Sequence, residues 1–284
     1  MRLAELARLA WRNNSVVVAY VYGNFGSGKT SYALWTAYEV LGGWERVLKY
    51  LFFDPGEAAA VMRRAIERGR RLPVIIMDDA GLWLDRMTWW EEEKVAFMQF
   101  FNLIRSVAAC VIFTTPTEEL PKQILRKSTV RVRVEPVAVE HALSLVGGEV
   151  VEAVQAAAKS YGLKHSPLAL ATGYVVHTLP SFMQIVSKQF YDLFPLHYPV
   201  VEEYERKRRA ALRRYFERWE SKVLGRRSIA EYRRKIEGLL AEGRSRAEVV
   251  KVLMKEGVPR ATAYYWVRKL SSEQKQGAEP PPGE

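Results

Sequence analysis

Val16-Val-Val-Ala-Tyr-Val-Tyr-Gly-Asn-Phe-Gly-Ser-Gly-Lys-Thr30 runs from an apolar stretch of strand type into the pattern G-x-x-x-x-G-K-[ST], supplied by Gly23, Gly28, Lys29 and Thr30. A strand followed by that pattern predicts a Walker A loop, whose backbone N–H groups wrap a polyphosphate. Glycines at 23, 26 and 28 suit the task because they adopt backbone angles that residues with a Cβ resist. Asn24, Phe25 and Ser27 complete the cradle, and Ser31 stands at its exit. Lys29 is placed to reach the β- and γ-phosphates, and the Thr30 hydroxyl to ligate Mg²⁺. A helix from Ser31 to about Leu41 would aim its N-terminal dipole at the same anion.

Leu72-Pro-Val-Ile-Ile-Met-Asp-Asp79 is the second anchor. An apolar run ending in two acids downstream of such a loop has the Walker B form, with Asp78 assigned to the metal and Asp79 to activation of the attacking water. Cys110-Val-Ile-Phe-Thr-Thr115 predicts a further buried strand whose polar end, Thr114 and Thr115, falls where a γ-phosphate sensor would lie; Thr115 is the candidate. The helix predicted over 118–128 carries Arg126, which is either a surface arginine or a finger that reaches a neighbouring subunit's γ-phosphate. Trp83, Trp89 and Trp90 fit a core or a subunit contact better than base stacking, because Arg86 is the one basic residue among them. Trp11 and Arg12, just upstream of the first strand, either pack or touch a nucleotide base.

Between these anchors the pattern predicts helices over 1–14, 54–70 and 91–107, with Pro55 suited to a first turn. Periodicity leaves 47–53 open as strand or helix end. A strand over 129–134, a helix over 149–161, and strand-like stretches at 173–178 and 182–186 follow, the last two as extensions of the sheet. His141, His165, His177 and His197 have no metal-ligand spacing.

The chain has 284 residues, 49% of them hydrophobic, and a net charge of +11. That length suits one α/β core plus a smaller appendage. No apolar run reaches the ~18 residues needed to span a bilayer, and the N-terminus has a charged amphipathic pattern, so the expectation is a cytoplasmic protein without a signal peptide. The single cysteine, Cys110, lies in an apolar run and reads as a buried hydrophobe. Residues 201–284 hold 21 Lys and Arg against 13 Asp and Glu, or +8, which leaves +3 for the first 200 residues. The excess basic charge of the last third points to a polyanion, with nucleic acid the natural candidate.

The last third also changes form. Residues 200–223 predict a long helix dense in Arg and Lys, either a solvated arm or one that tracks phosphates. Helices over 228–242, 245–256 and 260–270 follow, the last two in the form of a helix-turn-helix. Ser245 and Glu248 make a capping box, Gly257 ends one helix and Pro259 opens the next. Val249, Leu253, Val258, Ala263 and Val267 make the inner face. Arg260, Thr262 and Tyr265 are then candidates for base edges, with Arg268 and Lys269 on phosphates. A helical bundle used for oligomerisation is the competing reading. Residues 271–284 read as a disordered tail.

Taken in order, the Walker A loop, Walker B strand, polar-tipped sensor strand and Arg-bearing helix resemble the P-loop ATPases with an added strand between the two Walker strands, the class of AAA+ and RecA-like proteins. With the C-terminal helices added, the chain is similar to the small DnaA-like ATPases of archaeal viruses and plasmids. The resemblance implies an α/β domain over 1–199 with a mostly parallel sheet flanked by helices, a basic linker over 200–227 and an all-α helix-turn-helix domain over 228–270. It further implies ATP and Mg²⁺ as cofactors, a homo-oligomer, and ATP-controlled assembly on double-stranded DNA for replication initiation or loading of a replicative helicase. Two departures stand out: Asp79 replaces the usual glutamate, and no lid with a second sensor arginine is visible. A translocating packaging or conjugation ATPase, and a transcription regulator that senses nucleotide without consuming it, are the alternatives.

Overall fold

The computed structural model describes residues 1–83, 101–116, 122–179, 183–223, 229–258 and 260–276. They divide into two compact units, Met1–Lys207 and Arg208–Glu284.

In the first unit the order is α1 (Arg2–Arg12), β1 (Val17–Tyr22), α2 (Lys29–Leu41), α3 (Trp44–Val47), β2 (Leu51–Phe52), α4 (Pro55–Glu67), β3 (Ile75–Met77), α5 (Ala80–Trp83), α6 (Ile104–Val107), β4 (Cys110–Thr115), α7 (Lys122–Lys127), β5 (Val130–Val137), α8 (Val139–Val146), α9 (Gly148–Ser160), β6 (Leu168–Thr178) and β7 (Gln184–Pro195). The strands form one seven-stranded sheet in the order β2-β3-β4-β1-β5-β6-β7. The first five are parallel, and β6 and β7 close the sheet antiparallel. β4 therefore lies between β1 and β3, so a strand is interposed between the two motif-bearing strands.

Alternation along β1 explains the layering. Val18 and Tyr20 enter a cluster with Ala58, Met62 and Ala65 of α4, Ile75 and Met77 of β3, and Val111 and Phe113 of β4. Ala19 and Val21 point to the opposite face, where α1 and α2 pack with Leu3, Ala7, Ala33 and Leu34 buried. Asp54 caps α4 by accepting from Gly56 N at 2.7 Å, with Pro55 in the first turn. The undecided stretch 47–53 resolves into the end of α3, a 3₁₀ turn and the two-residue β2. The strands expected at 173–178 and 182–186 are longer than their apolar pattern suggested, because main-chain pairing of β6 with β7 continues past Val186 through polar Ser187 and Lys188 as far as Pro195. Trp89, Trp90 and most of the helix expected over 91–107 lie outside the described residues, as does the start of the helix expected over 118–128.

Cys110 opens β4 and is wholly buried, and burial pushes its thiol pKa up to about 12. Only the thiolate reacts with alkylating reagents, so the native protein should resist iodoacetamide and label fully once denatured. Rapid labelling without denaturant would contradict this packing.

The second unit contains α10 (Val201–Val223) from Arg208 onward, then α11 (Ile229–Ala241), α12 (Arg246–Lys255) and α13 (Arg260–Gln276). Ser245 and Glu248 form the expected capping box, and Gly257 takes φ +89 after α12. Val249, Leu253, Val258, Ala263 and Val267 are all buried, joined by Tyr232 and Ile236 of α11 and by Leu270. The last helix does not stop at Leu270. It runs to Gln276, because Ser271 is buried and returns its hydroxyl to Val267 O at 2.6 Å. Pro259 and residues 277–284 of the expected tail lie outside the described residues. Among the described residues, no helix is long and apolar enough to cross a membrane.

Candidate functional site

The loop between β1 and α2 leaves the sheet at the carboxyl end of its parallel strands, where open α/β sheets bind ligands. Its glycines are required by geometry. Gly23 has φ +152, and a Cβ there would lie 2.3 Å from Val134 O of the neighbouring β5 and 2.8 Å from Ser27 Oγ. Gly28, the residue before α2, has φ +97 with Leu196 Cδ1 2.6 Å from where its Cβ would be. Neither position admits a side chain without moving main chain or a packed leucine.

Lys29 donates from Nζ to Gly23 O at 2.9 Å and Asn24 O at 2.7 Å, and sits 5.9 Å from the ring centroid of Phe25, which is 87% exposed. Burial lowers the Lys29 pKa, while the charges of Asp79 and Asp78 pull it back up. Ser27 is buried, and its Oγ has no hydrogen-bond partner among the described residues. An orphaned hydroxyl of this kind costs about 1–3 kcal/mol.

Asp78 follows β3 directly and is fully buried. Its carboxylate accepts three hydroxyls: Thr30 Oγ1 at 3.0 Å, Thr114 Oγ1 at 2.5 Å and Tyr204 OH at 2.7 Å. Burial raises its pKa and the neighbouring charge of Asp79 adds to the rise, against the lowering by the three hydroxyls. Asp79 leaves the strand with φ +50, an uncommon angle for a residue with a side chain, and its N–H donates to Thr114 Oγ1 at 3.1 Å.

The structure brings Gly23, Lys29, Thr30 and Asp78 together, with Lys29 Nζ on Gly23 O and Thr30 Oγ1 on the Asp78 carboxylate. At the tip of β4 the hydroxyl bonded to Asp78 is Thr114's, and buried Thr115 lies beneath α5, its Oγ1 2.8 Å from where a Cβ on Gly81 would be. Arg126 is exposed on α7, and its carbonyl accepts from Gln184 Nε2 at 3.3 Å. Trp11 is placed away from the loop. Arg71 stacks on its ring at 5.7 Å and donates to Ser15 O and Ala108 O, where β1 and β4 begin. Trp11 and its neighbour Arg12 thus stand at the opposite end of β1 from the glycine loop, which disposes of the base-contact reading. Ser31 Oγ donates to Leu196 O at 2.6 Å.

Tyr204 and Lys207 were missed by sequence reading, for no motif marks them. Lys207 donates from Nζ to Leu48 O at 2.7 Å and Leu51 O at 2.5 Å, which pins the start of α10 beside β2.

The residues present fit a polyphosphate with a divalent cation. The loop has a cradle that a Cβ would fill, a buried hydroxyl awaiting a partner, an ammonium held among carbonyl oxygens, and a hydroxyl and carboxylate in contact at its mouth.

In the second unit Arg260, Tyr264, Tyr265 and Arg268 are exposed on α13 and Thr262 is half-buried, while Arg260 lies 5.8 Å from the Tyr264 ring. The Lys269 side chain lies outside what is described.

No family model matches this chain. It is 40% identical over 116 residues to the uncharacterized protein B-251 of Sulfolobus spindle-shape virus 1, covering 38% of this chain and 46% of that protein. It is 29% identical over 119 residues to the uncharacterized protein ORF286 of Acidianus two-tailed virus, covering 41% and 42%. The chain thus spans less than half the length of these curated relatives. Among solved structures it is similar to the genome packaging NTPase B204 of Sulfolobus turreted icosahedral virus 2 in complex with AMPPCP, with a TM-score of 0.32 and 12% identity over 62% of this chain and 99% of that one. For the same protein in complex with ATP-gammaS the TM-score is 0.32 and the identity 13%, over 61% and 97%.

Proposed function

We propose that this chain is an Mg²⁺-dependent P-loop ATPase that acts on double-stranded DNA. The observation that carries the reading is the contact between Thr30 and buried Asp78 at the mouth of a loop whose glycines cannot be replaced. In it, Lys29 and the loop N–H groups hold the phosphates, and Thr30 and Asp78 hold Mg²⁺, which neutralises charge on the β- and γ-oxygens. Asp79, turned away from the strand by its positive φ, is the group to orient the attacking water. Thr115 and Arg126 keep their proposed parts as sensor and as a finger acting on a neighbouring subunit.

The helices of residues 228–270 serve as a helix-turn-helix, a reading supported by the capping box, the buried inner face and the exposed Arg260, Tyr265 and Arg268. ATP held between subunits promotes assembly on DNA, for replication initiation or loading of a replicative helicase. Arg260→Ala should weaken sequence-specific binding by about 1–3 kcal/mol and relax the preference at one base pair, measured at fixed salt. An unchanged preference would remove Arg260 from the reading surface.

The test is steady-state ATP hydrolysis with and without Mg²⁺ and duplex DNA, with oligomer size followed by light scattering. Slow, Mg²⁺-dependent turnover with ATP-dependent assembly on DNA is the expected result. Fast, DNA-stimulated turnover with little sequence preference would replace assembly by translocation, as in packaging. Absence of both turnover and assembly would overturn the ATPase reading.

A further inference from the structure

After β7 the chain crosses the carboxyl end of the parallel strands and enters α10, bonded on the way to α2 and to Asp78. Ser31 Oγ donates to Leu196 O at 2.6 Å, and Trp35 Nε1 donates to Pro195 O at 3.0 Å and His197 O at 3.1 Å, so α2 is strapped from its first turn. Tyr204 OH then reaches Asp78 Oδ2 at 2.7 Å. Its ring is held between Phe53 and Tyr198, with both centroids 5.7 Å away. Lys207 closes the strap on the carbonyls of Leu48 and Leu51.

The ring contacts fix where Tyr204 stands, and the hydroxyl decides what it senses. A phenol that donates to a buried carboxylate makes a charge-assisted bond whose strength follows the negative charge left on the acceptor. Thr30 and Tyr204 share this one carboxylate. Anything that withdraws charge from Asp78 at the Thr30 side therefore weakens what Tyr204 holds. Tyr204 lies one turn into α10, which continues to Val223 through Arg206, Arg208, Arg209, Arg213 and Arg214.

We propose that Tyr204 is a positioning residue of the Mg²⁺–nucleotide site and couples its occupancy to the order of helix α10, the basic helix that leads out of the nucleotide-binding unit. The inference rests on the nucleotide reading above. By linkage the coupling is reciprocal: a polyanion that orders α10 changes the affinity for Mg²⁺–nucleotide by the same factor.

The experiment is amide hydrogen exchange on the full chain, wild type and Tyr204→Phe, without nucleotide, with a non-hydrolysable ATP analogue and Mg²⁺, and with the analogue and EDTA. In wild type, Mg²⁺ with the analogue should change exchange in peptides covering 201–223 by about tenfold, and the analogue with EDTA should not. Tyr204→Phe keeps the ring packing; it should still show analogue-dependent protection over 23–34 but lose the response in 201–223. Lys207→Met loosens the same helix without touching Asp78 and should keep the Mg²⁺-dependent response. An equal response in Tyr204→Phe, or none in wild type despite protection over 23–34, overturns the coupling while leaving the nucleotide site intact. Absence of protection over 23–34 in wild type refutes the nucleotide reading and the coupling with it.

Discussion

Lys29→Ala is expected to weaken nucleotide binding roughly 30- to 5,000-fold, the equivalent of the about 2–5 kcal/mol lost when one partner of a close charge pair is truncated. The size follows from where the ammonium sits. Nζ is held by Gly23 O and Asn24 O at the lip of the loop, so it is already placed where phosphate oxygens would lie. Burial lowers its pKa, and the charges of Asp79 and Asp78 work against that fall, which favours the ammonium that phosphate binding needs. The second unit has its own buried core, so DNA binding by the variant at fixed salt and without nucleotide should match wild type. Titration with a fluorescent ATP analogue, paired with a DNA-binding isotherm, checks both halves; undiminished nucleotide affinity would remove Lys29 from the site.

Asp78→Asn should abolish Mg²⁺-dependent turnover, by about 100-fold or more if the carboxylate helps hold the cation, and should not destabilise the fold. The amide keeps the shape, and the hydroxyls of Thr30, Thr114 and Tyr204 can each turn from donor to acceptor. What the substitution removes is a buried charge. Burial, with the charge of Asp79 behind it, holds the Asp78 pKa above its ordinary value, so the folded state binds its proton more tightly than the unfolded chain does. The stability associated with that proton is present below the ordinary carboxylate range and is lost as pH rises through the raised value. In the absence of Mg²⁺ the variant should therefore match wild type near pH 4 and exceed it in Tm as pH rises towards neutrality, read by thermal denaturation across that range. A Tm deficit that grows with pH would mean that the charge is compensated in the folded protein.

Much of the candidate site was legible because its residues sit close in sequence and obey local rules. The loop's glycine spacing announces positive φ angles, and Gly23, Gly26 and Gly28 have them. The capping box at Ser245 and Glu248 is likewise a four-residue rule, and it forms as read. What could not be read is the set of contacts made across long separations. Thr114 and Thr115 are equivalent in a strand pattern; only the position of β3 beside β4 decides that Thr114 meets Asp78. The positive φ of Asp79 has no sequence signature, since aspartate is usually found at negative angles. Trp11 adjoins β1 in sequence, and the direction of the strand sends it to the far end.

By itself the sequence determined the strand-loop-helix that holds phosphate, the acidic strand end that goes with it, and the basic helical character of the last third, because each depends on backbone angles, periodicity or charge within a few residues. Only the tertiary structure decided the strand order that sets β4 between β1 and β3 and the antiparallel closure by β6 and β7. It also brought Tyr204 across 126 positions to the Asp78 carboxylate. Burial makes that last contact matter: a charge withdrawn from water takes its hydrogen bonds from whatever donors the fold brings near, and chain separation does not enter.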